Sequence, residues 1–330
     1  MGSVLVTGGA GYVGCHLVRL LRERGARVLV LDDLSTGHVD SVGAEDFVRG
    51  DIGDEEAVTD LIRDNGVSLV YHMAACALVE ESVADPARYY ERNIAAGLSL
   101  LRSVLDAGAS GLVFSSSAAV YGIPENVPIE ESAPRRPVNP YGRTKAFFED
   151  ILEDCAEAYG IGVVSLRYFN AAGAWPDGSM GEDHDPETHL IPNVLRAAMG
   201  VEPAVRIMGT DYPTRDGSCV RDFVHVCDLA EAHVLAADKL ERGKQKAFNL
   251  GNERPASVRD VVAAAERVTG KKIPVVEDAR RPGDPPKLVA SAKRARDELG
   301  WEPKFPELER IIETAWKWHR SRPQGYGKGR

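Results

Sequence analysis

Tyr141 and Lys145, in Tyr141-Gly142-Arg143-Thr144-Lys145, stand four residues apart. On a helix such a pair shares one face, and Asn139-Pro140 just before it is a plausible helix start. A free phenol titrates near ~10 and is a poor base at neutral pH. A neighbouring ammonium favours the phenolate, so the pair can take a proton from a hydroxyl. Upstream, Ser115-Ser116-Ser117 ends an apolar run. Its hydroxyls are expected at the carboxyl edge of a sheet, where open parallel sheets bind ligands.

A second constellation lies at the start of the chain. Gly8-x-x-Gly11-x-x-Gly14 follows the apolar run 4–6 and opens a stretch with Val13, Leu17, Leu20 and Leu21 on one face. Glycines there allow a tight turn and a close approach of backbone to a pyrophosphate, while the helix start offers free N–H groups. Asp32 stands 18 residues after Gly14, at the end of the second apolar run. Its carboxylate would accept from the adenosine ribose hydroxyls and repel a 2′-phosphate, so NAD is expected over NADP. Asp51, followed by Ile52, closes the third run and could accept from the adenine amino group, with a plain loop aspartate as the alternative. A nicotinamide cation would join Lys145 in lowering the pKa of Tyr141.

These residues need elements to position them. Apolar runs at 4–6, 27–31, 46–49, 68–73, 111–115 and 162–167 alternate with helical stretches around 55–63, 85–107 and 141–159. Nearly all-apolar strands alternating with helices imply an α/β chain with a Rossmann-type, doubly wound parallel sheet. Residues 1–169 are expected to form the dinucleotide-binding domain. Residues 171–189, rich in Gly, Pro, Asp and His, read as loop. Residues 170–330 are expected to form a smaller mixed α/β substrate domain, with helices at 257–269 and 308–319. Segments near 222–250 are expected to return to the main sheet. The tail 320–330 is expected to fray.

Composition narrows the partners. The 330 residues are 44% hydrophobic and carry a net charge of −10 with no long basic run, which argues against nucleic acid. No apolar stretch reaches the ~20 residues of a membrane span, and the N-terminal residues lack a signal peptide's basic start and cleavage site. Five cysteines without Cys-x-x-Cys suggest reduced thiols and a cytoplasmic location. Eight scattered histidines with no His-x-x-x-His suggest no metal site.

The glycine loop, the serines and the Tyr-x-x-x-Lys pair together resemble the extended short-chain dehydrogenase/reductase superfamily. Within it, further blocks resemble the UDP-glucose 4-epimerases. They are Tyr121-Gly122, Arg167-Tyr168-Phe169-Asn170, Met180-Gly181-Glu182-Asp183, Asp211-Tyr212-Pro213-Thr214, Val220-Arg221-Asp222-Phe223-Val224-His225-Val226, Arg280-Arg281-Pro282-Gly283-Asp284 and Pro323-Gln324-Gly325-Tyr326. The resemblance covers essentially the whole chain and implies roles for individual residues. Ser117, Tyr141 and Lys145 would be catalytic. Gly8, Gly11, Tyr12, Val13, Gly14, Asp32, Asp33, Leu34, Ser35, Thr36 and Gly37 would hold NAD. So would Asp51, Ile52, Met73, Ala74, Ala75, Ala77, Asn93, Ser115, Tyr141, Lys145 and Phe169. Ser117, Asn170, His189, Leu190, Met208, Arg221, Arg281, Asp284 and Leu288 would hold a UDP-sugar.

The chain also departs from the resembling pattern. Ala77 stands where a lysine is usual, Met208 where an aromatic residue commonly stacks on uracil, and Leu288 where some members close the sugar pocket with a tyrosine. The resemblance implies a UDP-glucose/UDP-galactose 4-epimerase that works as a homodimer. In that dimer the segments 85–107 and 141–159 would pair through Leu98, Leu101, Leu105, Phe147, Ile151 and Leu152. The rival readings are a 4-epimerase for N-acetylhexosamines, uronic acids or pentoses, a 4,6-dehydratase, and a non-catalytic NAD-binding protein. The dehydratase would need an acid pair where this chain has Ala118-Ala119.

Overall fold

The computed structural model describes residues 2–281 and 283–327. The first half alternates strands and helices: β1 (Ser3–Thr7), α1 (Tyr12–Glu23), β2 (Val28–Asp32), β3 (Phe47–Arg49), α2 (Glu55–Asp64) and β4 (Val67–His72). There follow α3 (Val79–Ala84), α4 (Pro86–Tyr90), α5 (Ala96–Asp106), β5 (Gly111–Ser117), α6 (Pro140–Tyr159) and β6 (Gly162–Tyr168). The second half holds β7 (Asn170–Ala172), α7 (Leu190–Met199), β8 (Val205–Met208), β9 (Val220–Arg221), β10 (Phe223–His225) and α8 (Val226–Ala237). It ends with β11 (Gln245–Leu250), β12 (Ala256–Ser257), α9 (Val258–Thr269), β13 (Val275–Asp278), β14 (Lys287–Leu288) and α10 (Leu308–Ser321).

Seven parallel strands form the main sheet in the order β11-β6-β5-β4-β1-β2-β3. The period-two alternation of side chains divides their apolar residues between two cores. Val4, Val6, Val28 and Val30 face one core with α1 and α8. Leu5, Leu29, Leu31 and Leu112 face the other with α2, α5 and α6. Burial on both faces is why these strands read as unbroken apolar runs. The strand order reverses between β1 and β4, which opens a crevice at their carboxyl ends. The chain comes back to this sheet late: α8 packs beside α1, and β11 pairs with β6.

Helix α6 has firm ends. Asn139 Oδ1 accepts from Gly142 N at 2.8 Å, Pro140 occupies the first turn, and Gly160 leaves the helix at φ 75°. The remaining elements enclose a third core of α7, α9 and α10 residues, with three small sheets at its margin.

Three expectations need correction. The stretch 85–107 is not one α-helix: a π turn, Glu91–Ala95, separates α4 from α5. There Asn93 is drawn inward to bond the backbone of Cys76. Leu101 and Leu152 do not face outward, because both are buried in the subunit's own core. The tail is not frayed over its described length. Tyr326 packs on Trp318 and His38, and its N–H donates to Asp183 Oδ2 at 2.9 Å. Residues 328–330 of that tail, and Pro282 of the arginine block, lie outside the described residues.

Candidate active site

The glycine turn sits at the reversal in strand order. Gly8 has φ +67°, and a Cβ there would lie 2.5 Å from Ala74 N, so the turn after β1 rests directly on the turn after β4. A Cβ on Gly14 would lie 2.2 Å from Gly8 O, which fixes the helix against the turn. At Gly11 the one neighbour is Gly8 O at 3.3 Å, leaving open space outward. Gly11 also precedes α1 without any side-chain cap, and Tyr12 and Val13 begin the helix. An uncapped helix start beside open glycine backbone fits a pyrophosphate.

Asp32 lies at the end of β2, buried, with Oδ2 accepting from Ala10 N at 2.9 Å and Oδ1 from Leu34 N at 2.8 Å. Burial raises its pKa, and these backbone bonds oppose the rise. Each carboxylate oxygen keeps a further lone pair for a ribose hydroxyl. Asp33 and Leu34 are part-buried, Ser35 and Thr36 exposed, and Gly37 packs against Ala10. Asp51 and Ile52 follow β3, and Met73, Ala74, Ala75 and Ala77 follow β4, with Met73 N donating to Thr7 O at 3.0 Å. Asn93 is buried, and its amide is spent on Cys76 and on Thr144 Oγ1, so it braces this edge from behind.

The serine triplet divides its work. Ser115 Oγ pairs with Tyr168 Oη at 2.6 Å, Ser116 Oγ donates to Glu149, and Ser117 hydrogen-bonds Tyr141. Tyr141 and Lys145 both lie in the first two turns of α6. The Lys145 Nζ is buried, donates to Ser115 O at 2.8 Å, and lies 5.9 Å from the centre of the Tyr141 ring. Burial pulls the lysine down to about 7, with the Glu149 carboxylate resisting. Burial pushes the Tyr141 phenol up, Tyr168 adds to the rise, and the Ser117 hydrogen bond pulls it back. Within the protein alone the phenol is therefore held protonated, and a cation beside it is needed to make it a base.

Two features here were not legible in the sequence. Tyr168 belongs to a recognised block, yet nothing in its spacing links it to Ser115. Behind the lysine, Arg167 clasps Glu149 with Nε–Oε1 at 2.9 Å and Nη2–Oε2 at 2.5 Å. Arg135 adds a bond to Glu149 Oε2 at 3.1 Å, and Arg167 Nη1 donates to Tyr121 Oη at 2.8 Å.

The candidate substrate residues lie on the second half of the chain. Asn170 is exposed at the start of β7. Phe169, Ala118, Tyr121 and Ala146 form one small cluster against which Leu288 packs. Since Ala118 follows Ser117 and Ala146 follows Lys145, Leu288 stands close to the catalytic candidates. It is also opposite Arg221 in the β14–β9 register. Arg221 pairs with Asp284, and Arg281 Nε lies 3.1 Å from Glu80 Oε1. Leu190 starts α7 beside Ile207, Tyr212 and Cys219. Met208 ends β8, next in sequence to Ile207.

His189 has an unexpected setting. Glu182, His184, Glu187 and His189 bring one ligand-type atom each within 4.8 Å of one another. His189 Nδ1 hydrogen-bonds Glu187 Oε1 at 3.0 Å and lies 2.9 Å from Glu182 Oε1. Burial opposes a charge on this imidazole, but Glu182 and then Glu187 outweigh it and push it up to about 10. The contacts are those of an imidazolium held by carboxylates. The spacing Glu-x-His-x-x-Glu-x-His matches none of the metal patterns sought in the sequence.

A UDP-glucose 4-epimerase of Halalkalibacterium halodurans is 49% identical over 325 residues, covering 98% of this chain and 97% of that protein. The crystal structure of UDP-glucose 4-epimerase from Brucella ovis in complex with NAD is 45% identical, with TM-score 0.91, covering 96% of this chain and 98% of that one. The structure from Bifidobacterium longum in complex with NAD+ and UDP is 36% identical, with TM-score 0.93, covering 98% and 100%. Residues 4–251 match the family profile itself, and the chain belongs to the NAD dependent epimerase/dehydratase family.

Proposed function

We propose that this chain is a UDP-hexose 4-epimerase that interconverts UDP-glucose and UDP-galactose. The observation that carries the reading is the meeting of Ser117, Tyr141 and Lys145 at the carboxyl edge, beside an open glycine cradle. NAD, held by the glycine turn, Asp32 and the segments after β3 and β4, supplies a hydride acceptor that can return what it takes.

The chain's own residues handle the protons and the orientation. Tyr141 Oη takes the proton of the sugar's 4-hydroxyl as C4 becomes a carbonyl, and gives it back when C4 is reduced. Ser117, bonded to Tyr141, aligns the phenol and shares the load at that oxygen. Lys145 sets the field at the phenol and is anchored by Ser115 O, so its position does not change with the substrate. Arg221 and Arg281 exchange their carboxylate partners for the pyrophosphate, whose geometry suits the guanidinium fork. Anchoring through UDP leaves the 4-keto sugar free to turn and present its other face, so remote binding energy holds the intermediate.

We propose further that the protein works as a homodimer in the cytoplasm, with α5 and α6 as its pairing face. Phe147 and Tyr159 are exposed there, and Leu98, Leu105 and Ile151 are part-exposed. Among the described residues no helix is long and apolar enough to cross a membrane. The test of activity is to incubate the purified protein with UDP-galactose, and separately with other UDP-sugars, and to resolve the C4 epimers. Interconversion of UDP-galactose and UDP-glucose is expected. Turnover of another UDP-sugar but not this pair would overturn the substrate assignment. A monomer by light scattering at micromolar concentration would remove the dimer.

A further inference from the structure

The loop between β7 and α7 gathers four metal-ligating side chains, Glu182, His184, Glu187 and His189, in one short stretch. Each offers one donor atom, and these atoms lie within 4.8 Å of one another. Glu182 Oε1 stands 3.1 Å from His184 Nδ1 and 2.9 Å from His189 Nδ1. Glu187 stands 3.8 Å from His184 Nδ1 through Oε2 and 3.0 Å from His189 Nδ1 through Oε1. Zinc bonds of about 2.0–2.1 Å in a tetrahedron separate neighbouring donors by about 3.4 Å. The two imidazoles and two carboxylates therefore already stand at the spacing of a four-coordinate cation, and small side-chain rotations complete the set.

Charge points the same way independently. The side chains of Glu182 and Glu187 are each only 4% exposed. Among the described residues no lysine or arginine pairs with either carboxylate; both pair with His184 and His189 alone. Buried charges are normally paired or bound to a metal. One imidazolium balances one carboxylate and leaves the other, whereas a divalent cation on two neutral imidazoles balances both. The cage is also braced from outside, as metal ligands usually are. His189 N donates to Glu187 Oε1 at 2.8 Å, Asn193 Nδ2 to Glu187 O at 3.2 Å, and Trp318 Nε1 to Glu182 O at 3.0 Å. His189 is exposed, which leaves a way in from solvent. The expectation of no metal site considered histidines one helical turn apart. Here a loop brings the donors together, so that interval is not needed.

We propose that Glu182, His184, Glu187 and His189 bind one divalent cation of the zinc class as a structural site. Imidazole nitrogen with carboxylate oxygen suits zinc, whereas magnesium and calcium favour six or more oxygen ligands. The imidazolium described above is the metal-free form, and the incoming ion takes the place of its proton. The site stands at a seam of the fold. His184 meets the Tyr12 ring edge-on at 6.1 Å, and Tyr12 Oη donates to Gly173 O at 2.7 Å. Tyr12 begins α1 and His189 precedes α7, so the cation stiffens the loop that runs between the glycine-turn helix and the second half of the chain. It takes no part in the transfer of hydride or proton at C4. The proposal rests on the geometry and charge of this loop and does not depend on the substrate reading above.

The test titrates zinc chloride into the full chain, free of any affinity tag and dialysed against a chelator, with calorimetry as the readout. Melting temperatures are taken with and without zinc. One zinc per chain is expected, with a Kd in the micromolar range or tighter. Zinc should also raise the melting temperature, because a ligand of the folded state stabilises it by mass action. Magnesium at the same concentration should do neither. His184→Ala and Glu187→Gln should each weaken zinc binding by at least the ~10–100-fold that the loss of an outer partner costs. Both should lose the rise in melting temperature that zinc gives. Cys76, Cys155 and Cys227 are part-exposed thiols and the competing ligands. The triple variant Cys76→Ser, Cys155→Ser, Cys227→Ser is therefore measured alongside and should bind zinc as the wild type does. A folded wild-type protein that takes up no zinc at micromolar concentrations would overturn the site and leave the cluster an ion pair held by a proton. Wild-type affinity in both His184→Ala and Glu187→Gln would overturn it as well, and so would loss of binding in the cysteine variant. If His184→Ala does not fold, Glu187→Gln, which keeps the shape of the side chain, decides the matter.

Discussion

Lys145 and Ser115 are joined by a 2.8 Å hydrogen bond from the buried ammonium to the strand's carbonyl oxygen, so the cation that faces Tyr141 is fixed by the sheet and not by its own flexible stem. A lysine normally carries four freely rotating bonds. Here the backbone of β5 holds its end, and the cluster of Phe114 and Tyr141 rings around Nζ keeps water away.

The phenol is the proton acceptor, so Tyr141→Phe should cut turnover by ~10²-fold or more while UDP binding stays near normal. Lys145→Met removes a cation whose field favours the phenolate. The phenol's pKa then rises, and the acid limb of the rate profile should move to higher pH. Steady-state rates between pH 6 and 10 check both. Near-normal turnover in Tyr141→Phe would exclude it as the base.

Gly14→Ala tests the cradle. Its new methyl would stand 2.2 Å from Gly8 O, far inside contact, so the turn has to shift away from the helix start. The expected result is a folded protein that retains little or no NAD after gel filtration. Cofactor content, measured after denaturation, gives the answer.

Glu149 is almost wholly buried and balances Arg167, which is itself buried. Glu149→Ala leaves a guanidinium uncompensated in the interior, a change that costs about 3–5 kcal/mol. It also removes the carboxylate that resists the fall in the Lys145 pKa, so the lysine should titrate below about 7. Urea unfolding measures the first effect. The second is read from the pH dependence of any turnover that survives, whose lysine limb should move to lower pH.

Leu288 packs against the Ala118–Phe169 cluster and pairs with Arg221 in register, which places it between the catalytic edge and a pyrophosphate residue. Leu288→Tyr should lower activity on UDP-N-acetylgalactosamine relative to UDP-galactose. Size changes in such a pocket are worth about 1–3 kcal/mol, so a shifted preference is expected and not an absolute switch. An unchanged ratio would show that substrate choice is set elsewhere.

The sequence by itself determined the sheet and the local chemistry. Strands buried on both faces must be apolar throughout, so β1, β2, β4, β5 and β6 could be read as runs. The glycine spacing and the Tyr141–Lys145 interval are local because one turn and one helix face create them. Tertiary structure decided what depended on residues distant in the chain. The partner of Ser115 is Tyr168, 53 positions on, and the partners of Arg92, Asp51 and Asp33, are 41 and 59 positions back. Leu101 and Leu152 share a helical period with residues that do face outward, and only packing against the sheet put them in the core. The tail looked free because its anchors, His38 and Asp183, lie far away in sequence. Periodicity reports which face of an element is apolar. It carries no information about which distant group that face or charge will meet, because that is set by how the strands order themselves in the sheet.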